Sequence, residues 1–277
     1  MKRSVSFWIS AIGLAVVAQA GFAASNIRLA ADTPVVAMAE WEIQQTGAAE
    51  QTGARILIAA GAEELSRAPA NAVRYDSQTF KFDQGEVRVL TFRKASGGVL
   101  HQVTTETQMY VIKGSTVVGA AGQKVQVRAG DVVNLPSGVL RSIPRKLEDT
   151  TVLLYTVRTK PSDKAVVLRA KDTPTTALTA GPKAGVDTAK VSVQRFAFDG
   201  NSIRIARLTG PGKTGVAVPQ ADALIYLLSG RMEITIGDES KIVQAGDALC
   251  EPAGLPTHWD VLEPSSFIAT NGVRAAP

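Results

Sequence analysis

The sequence has a single cysteine and very few histidines. Cys250 has no partner within the chain, so no intramolecular disulfide can form. His101 and His258 are the only histidines among 277 residues, which excludes a metal site built from three histidines. Stability must therefore come from packing. Because Cys250 lies in an apolar run that ends at Pro252, we expect its thiol to be buried and unreactive.

Aromatic residues make up only 5% of the chain, and long apolar runs are scarce. The exception is Val5 to Val17, which follows Lys2 and Arg3 and precedes small residues. This pattern is typical of a secretory signal peptide over residues 1–23, cleaved after Ala20 or Ala23. We therefore expect export to the periplasm or the medium, with no membrane contact after cleavage, since no later run is long enough to span a bilayer.

The charge pattern also excludes some classes of partner. The formal net charge of +5 falls to +3 when Lys2 and Arg3 leave with the signal peptide, and the remaining Lys and Arg are scattered. A nucleic-acid-binding face would need them clustered. The sequence also shows no Ser-His-Asp order, no Gly-rich phosphate loop and no Cys-His nucleophile pair.

Two halves of the chain repeat in one register. An offset of 116 residues, the step from Tyr110 to Tyr226, aligns them without a gap. Turn glycines, the Ala-Gly-Asp turn and a Pro-x-Gly corner all recur. The coinciding pairs include Phe80 with Phe196, Arg88 with Arg204, Gly114 with Gly230, Asp131 with Asp247, Pro136 with Pro252 and Gly138 with Gly254. Since short strands and turns alternate through both halves, the sequence predicts two copies of one β-domain.

The domain organisation follows from this repeat. We predict an N-terminal arm at 24–72, a first domain at 73–165, a linker at 166–190 and a second domain at 191–277. In the arm we expect a strand at Val35 to Ile43 and a short helix at Ala62 to Ala68, and the arm would cover a sheet edge. The linker contains a Thr, Ala, Gly and Pro-rich run, Thr173 to Gly185, without periodicity.

With these motifs the sequence resembles the cupin superfamily, specifically a two-domain bicupin. The resemblance covers Val73 to Thr159 and Val191 to Arg274. It implies an all-β fold of two tandem jelly-roll barrels related by the internal repeat. In metal-binding cupins a first motif supplies a His-x-His pair and a Glu, and a second motif, Gly-Asp then Pro-x-Gly, supplies a third His. These four residues hold one divalent ion inside the barrel.

The residues at these four positions depart from the family pattern. In the first domain they are His101, Val103, Thr107 and Arg141. In the second domain they are Ala217, Pro219, Ala223 and Thr257. We therefore expect no metal cofactor. The one remaining possibility is a divalent ion at His101, with Glu106 and Gln108 brought in by a register shift.

Arg141 stands out among the replacements. A cation at a former ligand position repels a metal ion and suits a carboxylate or phosphate ligand. The resemblance thus points to a polar pocket in the first barrel, and its candidate ligand-binding residues are His101, Glu106, Gln108, Tyr110 and Arg141. The alternative is that Arg141 pairs with Glu106 at the barrel mouth and binds nothing.

The second domain has fewer candidates. His258 lies one place beyond the third-histidine position, so on a regular strand it faces the other way. Trp259 is a candidate for stacking a sugar ring, or alternatively for packing against the first domain. Tyr226, paired by the repeat with Tyr110, is predicted to be a packing residue.

Three functions stay open at this point. One is a metal-free periplasmic binding protein for a small polar or acidic ligand, such as a sugar acid or organic acid. Another is a cupin enzyme of the epimerase, lyase or dioxygenase type, with His101 as candidate catalytic base and Glu106 or Tyr110 as its partner. The last is a structural or interaction protein. A homo-oligomer is compatible with all of them.

Overall fold

The computed structural model describes residues 25–44, 54–60, 62–94, 99–102, 106–120, 123–135, 140–143, 148–156, 165–178, 190–199 and 201–271. The predicted signal peptide lies outside these ranges. Within them, no helix has the length and apolar character needed to cross a membrane.

Nearly all the described elements are strands. The strands up to the middle of the chain are β1 (Ile27–Arg28), β2 (Val35–Gln44), β3 (Ala54–Ala60), β4 (Val73–Phe82), β5 (Gly85–Phe92), β6 (Val99–Gln102), β7 (Thr107–Lys113), β8 (Ser115–Ala120), β9 (Gln123–Arg128), β10 (Val132–Leu135), β11 (Leu140–Ile143), β12 (Thr150–Thr156) and β13 (Val166–Leu168). Those that follow are β14 (Thr175–Leu178), β15 (Lys190–Phe198), β16 (Asn201–Thr209), β17 (Gly212–Lys213), β18 (Ala223–Ser229), β19 (Arg231–Ile236), β20 (Glu239–Gln244), β21 (Ala248–Glu251), β22 (Thr257–Val261) and β23 (Ser265–Asn271). A short helix, α1 (Ala62–Ser66), and 3₁₀ turns at Ala30–Asp32 and Ala170–Asp172 complete the elements.

The strands form two jelly-roll barrels, which confirms the all-β fold predicted from the sequence. Barrel 1 consists of an eight-stranded sheet, β13-β10-β7-β12-β5-β4-β2-β3, and a four-stranded sheet, β6-β11-β8-β9. Barrel 2 consists of a seven-stranded sheet, β1-β21-β18-β23-β16-β15-β14, and a four-stranded sheet, β17-β22-β19-β20. Strands β7 to β10 have the same lengths as β18 to β21, displaced by 116 residues, as in Thr107–Lys113 against Ala223–Ser229.

Each barrel has its own apolar interior because alternate residues of a strand face opposite sides of the sheet. The interior of barrel 1 is formed by Val73, Tyr75, Leu90, Phe92, Met109, Val111, Val118, Val127, Val133, Leu135 and Val152. That of barrel 2 is formed by Ile27, Leu208, Ala223, Ile225, Leu227, Met232, Ile234, Ile236, Val243, Leu249, Trp259, Val261 and Ala269.

The two large sheets also bury their outer faces against each other. This inter-barrel core consists of Phe80, Val87, Tyr110, Val132, Leu153 and Tyr155 from barrel 1 and of Phe196, Ile203, Ile205, Leu224, Tyr226, Ala248, Cys250 and Ile268 from barrel 2. The Tyr155 hydroxyl, fully buried, donates to the Ile268 carbonyl oxygen at 2.9 Å. The Phe80 and Tyr226 rings meet edge to face across the interface, 6.1 Å apart. The prediction that Tyr226 packs in the shared fold is confirmed.

Two segments cross between the barrels in opposite directions. β1 pairs with β21 of barrel 2, and β2 then pairs with β4 of barrel 1. β13 pairs with β10 of barrel 1, and β14 then pairs with β15 of barrel 2. The repeated Gly-Asp turns hold both crossings, since Asp247 accepts the Ala30 N–H at 2.6 Å and Asp131 accepts the Ala170 N–H at 3.1 Å.

These crossings confirm some predictions and correct another. The arm has the predicted strand and short helix, and β2 covers the edge at β4. The expectation of an irregular linker was wrong for 166–178, because Val166–Leu168 and Thr175–Leu178 are strands. The composition of this segment gives no strand signal, because its two strands form by pairing with the barrels. The domain boundaries themselves stay a prediction.

Gly230 lies at the β18–β19 turn, with φ of +85°, and a Cβ there would lie 2.5 Å from the Pro264 carbonyl oxygen. Gly254 has almost the same φ, +83°, with nothing within 4 Å of its Cβ position. We expect Gly254→Ala to lower the free energy of unfolding by about 1 kcal/mol, the cost of left-handed backbone. Gly230→Ala adds a backbone clash of about 1–3 kcal/mol. Urea unfolding of both variants tests this, and equal losses would contradict the clash.

Cys250 is fully buried in the inter-barrel core, as predicted, and burial raises the pKa of its thiol to about 12. At pH 8 a group with this pKa is about 10⁻⁴ ionised. Since the thiolate is the nucleophile, we expect no labelling of the native protein by iodoacetamide at pH 8 and rapid labelling in guanidinium. Labelling of the native protein at the denatured rate would show that the thiol is accessible.

Candidate functional site

In barrel 1 the strand register brings two of the former ligand positions together. His101 on β6 is the direct partner of Arg141 on β11 in an antiparallel ladder. Arg141 is also paired on its other side, with Ala120 of β8. The side chains of His101 and Arg141 lie outside what the structure describes, so the finding concerns the backbone. An imidazole-bearing and a guanidinium-bearing residue thus share one rung.

Barrel 2 repeats this rung with other residues. Ala217 pairs with Thr257 through two backbone hydrogen bonds, each 2.8 Å long. The rung therefore carries no imidazole, and its one side-chain oxygen, on Thr257, lies within 3.4 Å of the Leu255 carbonyl oxygen.

The position of the family's glutamate is also changed in both barrels. Thr107 begins β7 and Ala223 begins β18, and both are buried. The donor set at the four positions is thus one histidine, opposite an arginine, in barrel 1, and a single hydroxyl in barrel 2. Neither set fits a divalent metal, which prefers several imidazole and carboxylate ligands. Among the described residues no group of three His, Cys, Asp or Glu could hold a metal ion.

Gln108 and Tyr110 do not line the interior of barrel 1, so this part of the predicted pocket was wrong. Met109 and Val111 face the interior, and the alternation of β7 turns Gln108 and Tyr110 to the other face. Tyr110 packs in the inter-barrel core, where burial raises the pKa of its hydroxyl. Gln108 is fully buried and donates from Nε2 to Oδ1 of Asn201 in barrel 2.

Glu106 is buried just before β7 and lies close to the same interface. Its Oε1 accepts a hydrogen bond of 2.5 Å from Nδ2 of Asn134. Asn134 pairs in the ladder with Gln108. Glu106 is therefore part of a polar group beside the inter-barrel contact.

His258 and Trp259 lie on opposite faces of β22. His258 is half-buried opposite Thr235 and, as predicted, faces away from the barrel interior. Trp259 is buried inside barrel 2, with its ring 4.5 Å from that of Phe267. Packing of Trp259 against the first domain was therefore a wrong expectation. A stacking role at the rim does not fit either, because only 7% of the residue is exposed.

Barrel 2 contains a polar group that the sequence analysis missed, the Arg204 cluster, formed by Ser202, Arg204, Glu251 and Trp259. Ser202, Arg204 and Glu251 lie on interior-facing positions, since their strand neighbours belong to the inter-barrel core. Trp259 is itself part of the interior of barrel 2. Nε1 of Trp259 donates to Oε1 of Glu251 at 2.8 Å. Glu251 is the direct ladder partner of Ala223, so it lies beside the former glutamate position.

The two charged groups of the Arg204 cluster, Arg204 and Glu251, are partly buried. Burial raises the pKa of Glu251, and the indole hydrogen bond and the charge of Arg204 only partly oppose this. Burial also lowers the pKa of the Arg204 guanidinium. The repeat offered a signal for this cluster, because it places Glu251 where barrel 1 has Leu135.

Comparison with known proteins agrees with this geometry. Residues 213–266 match the family model Cupin_2, described as a cupin domain. No curated protein matches the sequence.

Several solved structures share the fold. AerE from Microcystis aeruginosa superposes with a TM-score of 0.59 at 12% identity, covering 71% of this chain and 91% of that one. The oxalate decarboxylase of Bacillus subtilis gives a TM-score of 0.53 at 14% identity, covering 72% of each chain. The oxalate decarboxylase of Lactobacillus farciminis, solved as a formate complex, gives 0.55 at 11% identity, covering 72% of this chain and 81% of that one.

These identities are too low to carry more than the fold. The family match lies in barrel 2, and it includes the strand that bears Glu251 and the strand that bears Trp259. Together with the two jelly-roll barrels, the match supports the resemblance to the cupin superfamily that the sequence motifs indicate.

Proposed function

We propose that this protein is an exported bicupin that binds a small organic acid in barrel 1, with no metal ion at the former ligand positions. The observation that carries the proposal is the pairing of His101 with Arg141 on one rung of the ladder. The wider pocket expected from the sequence is reduced to this rung, because Gln108 and Tyr110 face the other barrel.

The chemistry of the rung favours an anion. A guanidinium is always charged at neutral pH and binds a carboxylate through two parallel N–H···O bonds. An imidazole opposite it offers a further donor or acceptor for a hydroxyl or a second carboxylate. The same pair disfavours a divalent cation, since the positive charge of Arg141 would oppose it at short range.

The oxalate decarboxylases among the structural neighbours are named for a small dicarboxylate. That likeness reaches only the fold, so the ligand class proposed here depends on His101 and Arg141. The proposal concerns binding and does not include turnover.

The binding proposal predicts the behaviour of an arginine variant. In a calorimetric screen of small carboxylates and sugar acids, Arg141→Ala should weaken binding at barrel 1 about tenfold or more, as expected for loss of a charge-assisted pair. Arg128→Ala is the matched control, since Arg128 is an exposed arginine at the end of β9 in the same barrel. Unchanged affinity in Arg141→Ala, or an equal loss in Arg128→Ala, would contradict binding at this rung.

The metal part of the proposal has its own measurement. Protein purified without chelators should contain less than about 0.1 equivalent of Fe, Mn, Ni, Cu or Zn, because one histidine facing an arginine is a poor ligand set. Dialysis against EDTA should leave the melting temperature unchanged. A stoichiometric metal that leaves in the His101→Ala variant would overturn the metal-free assignment.

A further inference from the structure

The two barrels carry an arginine at the same place, and they neutralise it differently. Arg88 on β5 and Arg204 on β16 are related by the offset of 116 residues. Both occupy interior-facing positions, in line with Leu90 in barrel 1 and Leu208 in barrel 2. The comparison of the barrels is therefore like for like.

Barrel 1 supplies its own carboxylate to this arginine. Nη2 of Arg88 lies 2.6 Å from Oε1 of Glu86, two residues earlier on the same face of β5. Tyr75, also in this interior, donates its hydroxyl hydrogen to Glu40. Arg88 and Tyr75 thus each have a carboxylate partner within barrel 1.

Barrel 2 has no carboxylate at the matching position. The counterpart of Glu86 is Ser202, which is 1% exposed and whose Oγ is buried without a hydrogen-bond partner. Arg204 forms no ion pair or hydrogen bond with any residue that the structure describes, and its Nε is buried without a partner. Nε of Arg88 is also unpartnered. The difference between the barrels is therefore the ion pair, which Arg88 forms with Glu86 and Arg204 does not form with any described residue.

A partly buried guanidinium that forms no ion pair is less favourable than one that does. Glu251 is the acid whose charge acts on Arg204, but the two side chains do not form an ion pair. Oε1 of Glu251 instead accepts a hydrogen bond from the Trp259 indole. The side chain opposite Glu251 in the ladder is only a methyl group, that of Ala223. Arg204 and Ser202 thus lie two residues apart on one face of β16, and the charge of Arg204 acts on Glu251 in the same interior.

We propose that the Arg204 cluster is a second ligand site, which binds a small hydroxy-carboxylate. The carboxylate of the ligand pairs with Arg204, as Glu86 pairs with Arg88 in barrel 1, and its hydroxyl bonds to Glu251 and Ser202. The site is independent of the proposed function in barrel 1, because it shares no residue with the His101–Arg141 rung.

The test uses the mature chain, with glycolate as the probe and uncharged glycolamide as its control. In calorimetry, Ser202→Glu should abolish binding at barrel 2, because the new carboxylate restores the ion pair seen in barrel 1, and it should raise the melting temperature. Arg204→Gln should weaken this site at least tenfold. Arg207→Gln, an exposed change on the same strand, should leave it within twofold of the wild type.

A spectroscopic readout locates the ligand. The Trp259 indole N–H, assigned with Trp259→Phe, should shift in ¹H–¹⁵N spectra on addition of glycolate, because it bonds to Glu251. The shift should be absent in Ser202→Glu and kept in Arg141→Ala. If glycolate still binds to Arg204→Gln but no longer binds to Arg141→Ala, the glycolate site is in barrel 1 alone.

Three outcomes would overturn the inference. They are wild-type glycolate affinity at barrel 2 in Ser202→Glu, equal losses in Arg204→Gln and Arg207→Gln, and an indole signal that does not respond to glycolate. If Arg204→Gln fails to fold, Ser202→Glu still decides the matter, since it keeps the arginine and supplies its partner.

Discussion

The face-to-face packing of the two large sheets is the contact on which the rest of this structure depends. It gives the middle strands of each barrel two buried faces instead of one, so β7 and β18 are each buried at five consecutive residues. Such strands read as continuous apolar runs, as in sheets covered on both sides. The packing also sorts the side chains. In β18, Ala223, Ile225 and Leu227 go to the barrel interior, and Leu224 and Tyr226 go to the inter-barrel core.

The crossing segments make the two barrels parts of one fold. Each large sheet has an edge strand from a crossing segment, and the next strand of that segment pairs with the other barrel. These edge strands are β1 in barrel 2 and β13 in barrel 1. Asp131 joins this arrangement to the repeated turn. Although its burial alone would raise the pKa of the carboxyl group, hydrogen bonds from Arg169 and from the Ala170 and Arg128 N–H groups hold that pKa below its usual value. The charged form of Asp131 is thus the one that the crossing segment stabilises, and the Gly-Asp turn serves the inter-barrel connection as well as its own hairpin.

The sequence was sufficient for the fold and insufficient for the site, for a physical reason. Turn glycines and the Pro-x-Gly corner are local signals, so the repeat and its register could be read from one chain. The direction of a side chain in a strand buried on both faces has no such signal, because apolar residues occupy both sets of alternate positions. Gln108 and Tyr110 were therefore assigned to a pocket when they belong to the inter-barrel contact. The repeat marked Glu251 as different from its counterpart Leu135, but the grouping of Ser202, Glu251 and Trp259 was out of reach, because they lie on three different strands that only the folded sheet order brings into one barrel.

The loss of the family's ligand residues did not require a change of fold, and the positions of those residues explain why. In both barrels the rung that carried the first and last ligand lies between short strands at one end, His101 with Arg141 and Ala217 with Thr257. The residues that hold the barrels together lie elsewhere, in the two interiors and in the inter-barrel core. Ligand positions could therefore diverge separately in each copy while the packing was kept. Barrel 1 has a histidine opposite an arginine at the rung, and barrel 2 has an alanine opposite a threonine, with Glu251 as the ladder partner of the position that corresponds to the family's glutamate. Because the copies share a scaffold and differ in charge at matched positions, each barrel serves as the internal reference for the other.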